Sequence, residues 1–167
     1  MANTFELISA YTASGSVSSI DFTSIPSTYT DLVLEYSLRD TSASWVAYFT
    51  FNGSGTSYSS KTLGGSGSSV YSNSGGSTKI ELMSVVTGAT ANTFSNGSLY
   101  IPNYAGSSNK SISLDGVTET NSSTAYMQLT AGLWSNTAAI TSISITPAAS
   151  YSFLQYSTAY LYGVKNA

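Results

Sequence analysis

Neither histidine nor cysteine occurs anywhere in the chain. The residue that most often moves protons near neutral pH, the usual zinc ligands and every thiolate nucleophile are therefore missing. Catalysis would fall to carboxylates, lysines and hydroxyls. The acids are Glu6, Asp21, Asp31, Glu35, Asp40, Glu81, Asp115 and Glu119. Glycoside hydrolysis needs two carboxylates about 5 to 9 Å apart, and no two of these stand in a spacing that marks such a pair. Asp31 and Glu35 share the parity of one strand and read as solvated strand-face charges. Asp115 and Glu119 could offer oxygens to Ca²⁺, but they lack the ligand spacing of a calcium loop. A serine nucleophile needs a base, and Lys61, Lys79, Lys110 and Lys165 lie scattered in turn-rich sequence with no Ser–Lys motif. The run from Leu63 to Ser69 has the glycine content of a phosphate loop, yet neither a helical pattern nor a phosphate-binding lysine follows Gly67, so it reads as a flexible linker. The expectation is a chain with no catalytic residue, no bound metal and no cofactor.

The conspicuous side chains are aromatic, with 13 Tyr, 6 Phe and 2 Trp. Such residues bind or pack rather than react: tyrosine brings a large amphipathic surface at small entropic cost. Tyr156, Tyr160 and Tyr162 share one parity of a terminal strand, which suits core-edge packing with hydroxyls reaching water. The residues expected at an interface are Phe5 in the N-terminal segment and Tyr58 and Tyr71 in a Ser/Gly-rich stretch, with Tyr104 and Trp134 as aromatic anchors.

Charge narrows the partners. Only 8% of residues are charged, against about a quarter in ordinary soluble domains, and the net charge is −3. Five basic residues, Arg39 and the four lysines, are dispersed along the chain and cannot neutralise a run of phosphates, so nucleic acid is not an expected partner. A surface wetted by hydroxyls and amides instead of charges suits subunits packed edge to edge. The first residues carry no basic and apolar leader, and no stretch approaches the ~20 apolar residues that span a bilayer. The expectation is a soluble protein made in a cytoplasm, with no membrane partner.

The elements that must position these residues are strands. From Asp31 to Arg39, Leu32, Leu34, Tyr36 and Leu38 fall on one face and Val33, Glu35, Ser37 and Arg39 on the other, the period-2 signature of a core strand. Further strands are expected over 4–10, 17–23, 45–51, 79–85, 98–102, 110–119, 125–134, 140–146 and 158–164, each rich in β-branched or aromatic residues and bounded by turn formers. Asn52-Gly53, Asn96-Gly97 and Asp115-Gly116 are candidates for tight turns, the last also for a bulge or hairpin tip. Residues 53–78, dominated by Ser and Gly, read as a long loop and the first place to look for contacts. At this length a chain buries about two thirds of its unfolded surface without disulfides. Ten short strands predict one domain over 1–167, an all-β, two-sheet antiparallel β-sandwich of jelly-roll-like type.

Several segments together carry a resemblance: Ile20-Asp-Phe-Thr-Ser-Ile-Pro-Ser-Thr-Tyr-Thr-Asp-Leu-Val33, Phe51-Asn-Gly with Tyr58-Ser-Ser-Lys61, Tyr100-Ile-Pro-Asn-Tyr104, Gly132-Leu-Trp-Ser-Asn136 and Tyr156-Ser-Thr-Ala-Tyr-Leu-Tyr-Gly163. Spread over nearly the whole chain, they resemble small virion structural proteins of tailed, especially marine, bacteriophages. The resemblance carries no catalytic motif. It implies a β-sandwich module of the particle: a capsid decoration, or cement, protein acting as a homotrimer on the major capsid protein, or a tail-fibre or tail-tip adhesin that binds host surface carbohydrate. Either way the expected location is the virion. The strand pattern begins by Phe5 with no preceding helix or coiled coil, which favours the decoration protein.

Overall fold

Buried and exposed side chains alternate along the extended segments, and that alternation sorts them onto two sheets. The computed structural model describes residues 4–122 and 124–165. In chain order the strands are β1 (Phe5–Thr12), β2 (Ile20–Phe22), β3 (Asp31–Ser37), β4 (Val46–Phe51), β5 (Tyr58–Ser66), β6 (Ser69–Ser74), β7 (Ile80–Met83), β8 (Asn96–Ile101), β9 (Lys110–Thr118), β10 (Tyr126–Trp134), β11 (Ile143–Pro147) and β12 (Thr158–Val164). They form an eight-stranded sheet, β1-β12-β3-β8-β9-β10-β5-β6, and a four-stranded sheet, β2-β11-β4-β7. Every ladder between these strands is antiparallel. The chain is thus the expected all-β, two-sheet antiparallel sandwich. Among the described residues no helix is long and apolar enough to cross a membrane.

Register explains the core. On the large sheet Leu161, Leu34, Leu99 and Leu114 stand directly opposite one another across four neighbouring strands. On the small sheet Ile20, Ile145, Phe49 and Ile80 form the corresponding row. All eight are buried and belong to one hydrophobic cluster, each worth roughly 1.5 to 3 kcal/mol relative to exposure. The run from Leu32 to Leu38 is buried on the predicted face, and β3 is an interior strand of the large sheet.

The turn expectations divide. Asn52 and Gly53 have φ of 51° and 66°, and the Ser54 N–H donates to the Phe51 carbonyl at 2.8 Å, a two-residue turn with both central residues left-handed. Asn96-Gly97 and Asp115-Gly116 are not turns: Gly97 and Gly116 pair with each other inside the β8–β9 ladder. A Cβ on Gly97 would lie 2.2 Å from the Tyr36 hydroxyl oxygen, and one on Gly116 would lie 2.7 Å from it. The two glycines make room for a ring rather than a bend.

The expected loop over 53–78 is largely structure. Its centre is a hairpin: β5 and β6 pair from Lys61↔Ser74 to Ser66↔Ser69, reversing near Gly67, whose φ is 57°. Leu63–Ser66, expected to be part of a flexible linker, is strand. The alternation was hidden because the inward positions of β5 after Tyr58 are Ser60, Thr62 and Gly64, small or polar residues that do not read as a core face.

Candidate functional site

The sandwich takes three of the five expected interface residues out of reach of a partner. Tyr58, Tyr104 and Trp134 are buried. The Trp134 ring packs edge-on against Phe51 at 5.6 Å and nearly parallel to Tyr58 at 6.2 Å. The Phe51 N–H donates to the Tyr58 hydroxyl oxygen at 2.7 Å, and the Tyr104 hydroxyl donates to the Pro26 carbonyl. Burial pushes both phenols upward in pKa. These aromatics are core: both phenol oxygens are satisfied internally, while the buried Trp134 indole N–H has no hydrogen-bond partner among the described residues. Phe5 is exposed on the edge strand β1, and Tyr71 is half-buried on the opposite edge strand β6.

The carboxylates are mostly committed to local bonds, and Asp31 is not solvated as expected. Asp31 is buried at the end of β3, where it accepts from the Tyr100 hydroxyl and the Asn103 N–H, each at 2.8 Å. Asp40 is buried and accepts from the Ser42 N–H at 2.7 Å. Glu35 accepts from the Ser98 hydroxyl at 2.7 Å, and Glu6 pairs with Lys165 at 3.1 Å. Among the described residues no group of three or more acids could hold a metal ion.

Two buried cations are structural. The Arg39 guanidinium donates to the carbonyls of Thr87, Ala89, Thr90 and Thr93 at 2.8 to 3.2 Å, pinning the segment between β7 and β8. Lys110 Nζ donates to the carbonyls of Gly106 and Ser108, and burial lowers its pKa.

Five exposed apolar side chains gather on the outer face of the large sheet. Val117, Met127 and Val70 fall in one cross-strand row with Gly65 between the last two, and Leu129 and Leu63 stand opposite each other in the next row. Met127 is 64% exposed, Leu63 62%, Leu129 58% and Val70 88%. Because Gly65 has no side chain, a notch of about 500 Å³ opens between Met127, Leu129, Leu63 and Val70. A contiguous apolar surface of this kind on a polar chain is a candidate interaction site. The sequence reading missed it because Leu63 and Val70 sat in the presumed loop. The signal was present in Met127 and Leu129, apolar residues alternating with polar Gln128 and Thr130, opposite in parity to Trp134.

No family model matches the chain, and neither does any curated protein or solved structure.

Proposed function

We propose that the chain is a non-enzymatic structural protein of a bacteriophage particle, a capsid decoration protein that binds the major capsid protein and stabilises the head. The observation that carries the proposal is the exposed apolar band of Leu63, Val70, Val117, Met127 and Leu129, built on rigid strands. The scarcity of charge supports the same reading, since a face that meets another protein loses little when few ions must be desolvated. So does the sequence resemblance to virion proteins of tailed phages.

In this account the band seats on neighbouring capsid subunits, and the proteins sit as trimers at three-fold positions. Binding only the assembled shell shifts its stability by mass action, and several copies reinforce one another through effective concentration. Co-sedimentation of the purified protein with undecorated heads tests this: the protein pellets with heads and stays in the supernatant with unassembled capsid subunits. A protein that ignores heads entirely refutes the assignment. The alternative, a tail adhesin that binds host carbohydrate, has one specific feature in its favour, an aromatic cleft on the other face of the large sheet.

A further inference from the structure

The two sheets are unequal, and the inequality builds a second surface. The small sheet ends at β7, which lies over β9, β10 and β5, while β6 extends the large sheet one strand further. Thr62, Gln128 and Thr130 face inward at that end and are buried. They are also polar: Thr62 and Thr130 join hydroxyls at 2.9 Å, and Gln128 donates to Thr130 at 3.0 Å. Above this floor stands a cleft of about 410 Å³, within the range of about 300 to 1,000 Å³ of small-molecule sites.

Its walls are aromatic. Trp45, just before β4, and Tyr126, at the start of β10, lie with ring centroids 5.2 Å apart and planes at 47°, and both are half-buried. Tyr71 projects from β6 over Gly64, where a Cβ would come within 2.3 Å of the ring. Glu81 of β7 lines the cleft with Asn73 and Gln128. Among the described residues no hydrogen bond engages the Glu81 carboxylate or the Asn73 amide, whereas Gln128 uses its N–H on Thr130.

We propose that this cleft binds a neutral pyranose sugar, one ring face stacking on Trp45 and Tyr126 and the hydroxyls bonding to Glu81, Asn73 and Gln128. The chemistry selects that class. An aromatic wall matches the C–H face of a pyranose, and a carboxylate with two amides offers the mixed acceptors and donors that vicinal hydroxyls require. Among the described residues that line the cleft, Glu81 alone is charged, which repels acidic sugars and the phosphates of a polynucleotide. The site stands whether the subunit sits on a head or a tail.

Saturation-transfer NMR and tryptophan fluorescence of the intact chain with the methyl glycosides of glucose and galactose, N-acetylglucosamine and their neutral trisaccharides test the site, with sialyllactose as the acidic control. Trp134 is buried in the core, so quenching reports Trp45. Neutral sugars should bind with a dissociation constant on the order of 1 mM, as fits an open cleft holding one ring. Trp45→Ala should weaken binding by about tenfold or more, the effect of losing one aromatic anchor. Asn73→Ala, at an exposed position that leaves folding intact, should weaken it as well. No transfer from any neutral sugar, or binding unmoved by both variants, overturns the proposal. Leu129→Lys lies on the opposite face and should leave sugar binding unchanged, so loss of head binding and loss of sugar binding are read apart.

Discussion

Leu63 of β5 stands directly opposite Leu129 of β10, both on the water-facing side of the large sheet and both more than half exposed. A cross-strand leucine pair contributes little to a fold when it faces solvent, so changing it should separate binding from stability. Leu129→Lys, which sets an ammonium opposite Asp115 of β9, should leave the unfolding midpoint nearly unchanged, within about 0.5 kcal/mol as for ordinary surface positions. Binding to heads should fall by about tenfold or more. Thermal unfolding and co-sedimentation of the same preparation measure both quantities.

Gly97 and Gly116 should not tolerate a methyl group. Each Cβ would press on the Tyr36 ring or hydroxyl, and overpacking of this kind costs about 1 to 3 kcal/mol. Gly97→Ala combined with Tyr36→Leu, which removes the ring but leaves the Asp115 carbonyl oxygen 2.6 Å from the new Cβ, should be less destabilising than the sum of the two single changes. A double-mutant cycle in urea reads the coupling; strict additivity would mean the ring and the glycine do not share that space.

Alkaline pH should unfold the protein through its buried phenols. Burial raises the Tyr36 pKa far above its ordinary value of 10.0, and Tyr58 and Tyr104 move the same way. Above about pH 10 the unfolded chain has lost phenolic protons that the folded chain still holds, so stability is full below that pH and falls as pH rises. Tyr36, whose shift is the large one, contributes a slope of about 1.4 kcal/mol per pH unit above that pH. Tyr36→Phe should flatten the decline between pH 10 and 12, measured by urea unfolding monitored by circular dichroism.

Arg39→Lys should behave as a disruptive change. The guanidinium reaches four carbonyls of the segment between β7 and β8, and an ammonium cannot reproduce that fan of donors. A loss of about 2 kcal/mol or more is expected, with hydrogen exchange in residues 87–93 accelerating well before the strands open.

The residues that made the fold legible are those whose alternation coincides with burial, above all Leu32, Leu34, Tyr36 and Leu38. The β5–β6 hairpin escaped because its inward side faces a polar cleft, so Ser60, Thr62 and Gly64 carry no apolar signal. The same cause hid the outward Leu63 and Val70. Tyr58, Tyr104 and Trp134 drew attention as binding aromatics because sequence alone does not say which side of a strand meets the second sheet. Gly97 and Gly116 resembled turns because a following glycine signals a bend and a close approach in the same letters.

A reconstruction of the intact particle with this subunit located tests the central claim most directly. The account predicts density at capsid three-fold positions, with the Leu63, Val70, Met127 and Leu129 face turned down onto the shell and the opposite side of the β5–β6 hairpin open to solvent. Density on the tail alone, or a head-bound subunit whose apolar face points outward into water, would contradict it.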